Sequence, residues 1–168
     1  MIKLFYSGTY NVRHELINEF NALKLLKDDI RTKIVGNVKD FVYASDGVIL
    51  ENNKNVMYVG GFYYEKNKNN KSICESVVEE ELKEIDECDI LVANLTKYSA
   101  IATITEIIYA AFNNKKIVIF CDPNITSYDV EREYWFPILT CKKINKNIEV
   151  KFINNEQEII DYINNLEG

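Results

Sequence analysis

The chain has 168 residues, 47% hydrophobic and 27% charged, which is long enough for one buried core, short for two, and too apolar for a disordered protein. Its net charge is −6 and no cluster of Lys and Arg stands free of acids or asparagines, so no nucleic-acid polymer is expected as a partner. No apolar run reaches the length of a membrane span and MIKLFYSG enters a strand at once, so no membrane contact and a cytoplasmic location are expected.

The four cysteines (Cys74, Cys88, Cys121, Cys141) form no CxxC pair, and His14 is the single histidine, placed on a predicted surface helix. That inventory predicts no metal site and no histidine-based triad. Any chemistry must rest on carboxylates, hydroxyls and backbone amides.

Residues 2–7 read as a buried first strand, and Ser7-Gly8-Thr9 as a turn that offers amides and hydroxyls to a ligand. Leu16, Phe20, Leu23 and Leu26 have helical spacing, which predicts a first helix over 12–27. Residues 33–38, 41–44 and 48–51 read as short strand pieces, with Asp46-Gly47 as a hairpin turn and 52–55 as a polar turn. A second strand is predicted over 56–64, followed by an Asn/Lys-rich loop at 65–71.

Residues 72–87 form a predicted helix whose apolar stripe is Cys74, Val78, Leu82 and Ile85. Glu81 lies about 60° from the centre of that stripe, at the border of the buried face. The next stretch, 87–121, reads as strand, loop, helix, strand: apolar runs at 90–95 and 117–120 flank a helix carrying Glu106. In such βαβ units ligands sit outside the carboxyl ends of the strands, so the loop at 96–102 and the first helical turn, with Glu106, should face a crevice. An acidic-aromatic segment at 128–136, a strand at 148–153 and a helix at 156–166 complete the chain. Together these predict a single α/β domain over 1–168. Its core is a flavodoxin-like, doubly wound sheet of five parallel strands, with extra strand pieces inserted after the first helix.

Thr103-Ile104-Thr105-Glu106 fits a capping box, in which Thr103 caps the helix and Glu106 reaches back to the cap amide. That reading alone accounts for both residues. The alternative starts from Ile104, Ile107, Ile108 and Ala111, which supply the buried stripe and leave Glu106 pointing toward the strand ends. Kept ionised by the helix dipole, such a carboxylate can attack a sugar carbon.

Read together, the positions form a pattern: Glu81-Leu82-x-x-Ile85-x-x-x-Asp89-Ile90-Leu91-Val92-Ala93, then Ala102-Thr103-Ile104-Thr105-Glu106-Ile107, then Lys115-Lys116-Ile117-Val118-Ile119. This pattern, with Leu4 to Thr9 and the YVGGF at 58–62, resembles the nucleoside 2-deoxyribosyltransferase family, including the related deoxynucleoside-monophosphate N-glycosidases. The resemblance is loose over most of the chain and closer from Glu81 to Ile119. It implies that Glu106 is a nucleophile toward C1′ of a deoxynucleoside or its 5′-monophosphate, giving a covalent glycosyl-enzyme that a second base or water resolves with retention. By the same resemblance Glu81 protonates the leaving base and Asp89 caps the crevice. Phe62 is a candidate to stack on the base, core packing being the other account of it. Tyr6, Gly8, Ser99 and Thr103 are further candidate substrate contacts. No metal or redox cofactor is implied. The implied partners are a small nucleoside or nucleotide and other copies of the chain, in a homo-oligomer.

The chain also departs from that pattern. The family's acid or serine six residues before the nucleophile falls on Ala100, its glycine on Ala102, its orienting tyrosine on Phe5, and its helix aspartate on Glu81. Two other readings therefore stand beside the first. One is a non-catalytic nucleotide-binding module of the same fold; the other is a TIR-like NAD-cleaving enzyme, which also uses a helix glutamate.

Overall fold

A computed structural model describes residues 1–10, 21–43, 46–61, 73–124 and 134–167. Five parallel strands run in the order β3-β1-β4-β5-β6: β1 (Ile2–Gly8), β3 (Val56–Gly60), β4 (Ile90–Leu95), β5 (Lys116–Cys121) and β6 (Ile148–Phe152). A two-residue strand, β2 (Val48–Ile49), pairs antiparallel with β3 at the edge. This is the doubly wound α/β sheet that the alternation of apolar runs and helical stripes predicts.

Each face of the sheet carries its own core. Leu4, Tyr6, Val92, Val118 and Phe120 project to one side, under α1 (Ala22–Leu25), α2 (Ile30–Val35), α3 (Val38–Tyr43) and α7 (Gln157–Asn164). Phe5, Leu91, Ala93, Ile117, Ile119 and Cys121 project to the other. They meet α4 (Ile73–Glu87), α5 (Ile101–Phe112) and α6 (Trp135–Ile144). Every residue of β4 is buried, as a strand covered on both faces requires, and this is why its sequence is apolar at every position but Asn94.

Three local expectations are corrected. Of the pieces expected as strands at 33–38 and 41–44, residues 33–35, 38 and 41–43 are helical, residues 36 and 37 join the two helices and residue 44 lies outside the described residues; of the three pieces only the one around Val48 forms a strand. Asp29 caps α2 by accepting from the Arg31 amide at 2.9 Å, and Gly36, with φ of 94°, closes it in the left-handed region. With both ends capped, the β-branched residues of α2 follow a helical rather than a strand pattern: Ile30 and Ile34, one turn apart, are both buried in the core. Asp46-Gly47 leads into β2 rather than turning the hairpin; the polar stretch after Leu50 makes that turn. Finally, α5 begins at Ile101 with Ala100 at its cap position and no side-chain cap, so Thr103 is inside the helix and Glu106 stands in its second turn. The capping-box account of Glu106 falls with that register.

The strand order reverses beside β1, because β3 lies on one side of it and β4 on the other. The carboxyl ends of β1 and β4, where Gly8 pairs with Asn94, therefore open a crevice between the two connections.

Candidate active site

A cavity of about 480 Å³ occupies this switch point. Phe5, Tyr6, Gly8, Thr9 and Tyr10 line it from β1 and its continuation, and Gly61 from the end of β3. Val77 and Glu81 come from α4, Ser99 to Thr103 and Glu106 from the start of α5, and Arg31 from α2. Its volume lies in the range of sites for small-molecule ligands.

The floor of the cavity is a pair of carboxyls. Glu106 and Glu81, on neighbouring helices, are half-buried and within hydrogen-bonding reach of each other. Ser7, buried in β1, donates its hydroxyl to Oε2 of Glu106 in a short contact. Burial, and then the negative charge of Glu81, push Glu106 up to about 8 from the usual carboxylate range. Burial also raises Glu81, against the pull of Arg31. Two such groups side by side cannot both ionise cheaply, so the pair holds one proton between them near neutral pH. The Ser7 hydroxyl favours the charge on Glu106.

The cavity wall comes from the loop before α5. Tyr134 holds it by accepting from the Ala100 amide at 3.0 Å and donating to the Lys97 carbonyl. Ser99 adopts φ of 59°, unusual for a residue other than glycine, and is exposed at the cavity mouth. Thr103, only 3% exposed, lines the cavity one turn before Glu106.

Of the residues singled out from the sequence, Glu106, Glu81, Tyr6, Gly8, Ser99 and Thr103 all border this cavity. Asp89 does not. It sits at the amino end of β4, where its carboxylate accepts from the Lys3 amide at 2.8 Å and its own amide donates to the Lys3 carbonyl, tying β4 to β1 at the opposite end of the sheet. Its position at the start of a strand decides this: a residue that opens a parallel strand cannot reach the carboxyl end. Phe62 and His14 lie outside the described residues. Two contributors escaped the sequence reading. Ser7 is read from the sequence as part of the turn, and Arg31 falls just before the first expected strand piece at 33–38; the Asp29-Ile30-Arg31 start, a cap followed by an apolar stripe, is the available signal for the second.

Among the described residues, no group of three or more His, Cys, Asp or Glu side chains is arranged to hold a metal ion. No helix among them is long and apolar enough to cross a membrane.

No protein-family model matches the sequence, and no curated protein matches it. Among solved structures the chain is similar to the CMP N-glycosidase BcmB of Clostridium botulinum, with a TM-score of 0.52 and 14% identity over 96% of this chain and 97% of that one. A conserved protein of Enterococcus faecalis V583 aligns at a TM-score of 0.49 and 12% identity over 97% of each chain, too loosely to bear on the site. At this identity what is shared is the α/β fold.

Proposed function

We propose that this protein cleaves or transfers the N-glycosidic bond of a deoxynucleoside or its 5′-monophosphate, with Glu106 as nucleophile and Glu81 as acid. The observation that carries this reading is the carboxyl pair itself. Two glutamates from adjacent helices lie within hydrogen-bonding reach of each other in a cavity at the strand ends, and one of them accepts a hydroxyl hydrogen bond. The solved structure with the same fold whose name states an N-glycosidase activity supports it.

Burial and the charge of Glu81 leave the resting proton on Glu106, so the productive form is the one in which that proton has passed across the pair to Glu81, leaving the charge on Glu106, steadied by Ser7. A Glu106 oxygen bonds to C1′ as the C1′–N bond breaks; the electron pair leaves with the base, and the Glu81 proton neutralises it. Water or a second base then attacks C1′ from the vacated face and gives its proton to the Glu81 carboxylate. Glu106 departs as carboxylate. Two inversions give net retention, and each glutamate is restored. A site of this size takes one nucleoside or nucleotide, and the exposed Tyr98 and Ile101 beside its mouth are consistent with a homo-oligomer.

The test is incubation with each deoxynucleoside, its monophosphate and CMP, with and without a second base, followed by chromatography. Exchanged base identifies a transferase and free sugar a hydrolase. Glu106→Gln should lower turnover by about 10³-fold or more while still binding substrate. Ligand binding with no bond cleavage by the unaltered protein would instead establish a binding module.

A further inference from the structure

Helix α2 carries an unusual buried charge. Arg31 is 3% exposed, yet its guanidinium borders the cavity that contains Glu81 and Glu106. Its partners hold it in place without neutralising it well. One nitrogen lies 3.5 Å from Asp29, itself buried, and another donates to the Gly8 carbonyl in a short contact. The Arg31 Nε and the second Asp29 oxygen are both buried with no hydrogen-bond partner among the described residues. The guanidinium carbon lies 4.0 Å from the centre of the Tyr10 ring and 5.0 Å from that of Tyr6, so two aromatic faces fix its place.

A buried ion pair of such imperfect geometry adds little to stability, because desolvating both charges costs more than a long contact returns. Its charge acts on the cavity instead. Among the described residues lining the cavity, Arg31 carries the only positive charge, facing two glutamates. The other groups around the pair are Ser7 and Tyr6 from β1, Tyr10 just beyond it, Tyr58 from β3, and Asp29. Glu84 of α4 is engaged with the Gly61 amide. Burial raises Tyr6, Tyr10 and Tyr58 well above the ordinary phenol range, so they remain neutral.

We propose that Arg31 is a positioning residue, whose guanidinium, wedged between Tyr6 and Tyr10 and loosely paired with Asp29, supplies the positive field that keeps one carboxylate of the Glu81–Glu106 pair ionised near neutral pH. Its role in turnover rests on the glycosidic reading above; its effect on the pair does not. The direction of the Arg31 field, toward the ionised form of both glutamates, agrees with this assignment. The device is built from the segment between β1 and β3, so the insertion supplies charge to the site as well as core.

The experiment is a carboxyl titration of the substrate-free protein, with ¹³C-labelled glutamate side chains followed by NMR and the pair assigned from the Glu106→Gln spectrum. In Arg31→Met the midpoint of the pair should rise by about one pH unit or more, while Arg31→Lys should remain close to the unaltered protein. A midpoint in Arg31→Met equal to that of the unaltered protein overturns the proposal. Should Arg31→Met fail to fold, Asp29→Asn retains the guanidinium and removes its opposing charge. The midpoint must then fall, and one that stays or rises overturns the proposal equally. Where turnover is measurable, the pH profile of kcat/KM should move with the midpoint. Absence of turnover in the unaltered protein refutes the glycosidic reading and leaves the titration result intact.

Discussion

Replacing Glu106 by glutamine should make the protein more stable in alkaline solution. Glu106 ionises at about 8 in the folded chain against an ordinary 4.5. Below the lower value both folded and unfolded chains keep the proton, and the full folding free energy is present. As the pH rises, the unfolded chain releases its proton while the folded chain cannot, so stability drains away until the pH passes about 8. The gap corresponds to roughly 5 kcal/mol if the carboxyl were wholly desolvated. Glu106 opens onto the cavity and accepts from Ser7, so about 2–3 kcal/mol is the expected share. Glutamine keeps the shape, accepts the same hydroxyl and does not titrate. Glu81, left with Arg31 and a neutral neighbour, does not inherit the penalty. Urea unfolding at about pH 4 and about pH 9 measures the difference: the two proteins should match at the first, and the variant should exceed the unaltered chain by that margin at the second. Parallel stability profiles across that range would refute the claim that a strained carboxyl is stored at the site.

Ser7→Ala removes the hydroxyl that favours the charged form of Glu106, so the Glu106 midpoint should climb above about 8 in an NMR titration. An unmoved midpoint would show that the contact carries no charge stabilisation. Asn53→Ala should cost about 2–3 kcal/mol in a thermal melt, because the Asn53 amide donates to the carbonyls of Ile163, Asn164 and Leu166 and so closes the end of α7. Gly60→Ala should lose about 1–3 kcal/mol. A Cβ there meets the Phe5 ring at 2.1 Å and a Glu84 oxygen at 2.6 Å, and an undiminished melting temperature would show that the β1–β3 contact is looser than described.

The part of the chain that was legible before any coordinates is the part where local pattern and tertiary burial coincide. Ile90 to Leu95 reads as a buried strand because it is covered on both faces, and α4 and α5 read as helices because each buries one stripe. Spacing placed Glu81 at the border of a buried face and Glu106 off the buried stripe, and the family resemblance singled them out. Residues 33–38 and 41–44 misled, because Ile34, Val35 and Val42 favour strands by propensity, and for the first of these pieces only the caps at Asp29 and Gly36 reveal a helix. Asp89 misled in a different way, since a motif position does not say which end of a strand faces the crevice.

The amino-acid order alone determined the alternating α/β plan and the buried central strands, because helix and strand periodicities are read over a few residues; the two glutamates were singled out by the family resemblance that their spacing carries. Only the tertiary structure decided what those glutamates touch. Ser7 and Glu106 are 99 positions apart, and Arg31 reaches the cavity from an element whose own type was misread. Proton sharing, burial and the field at a carboxyl depend on distances across the sheet, and no local pattern encodes those.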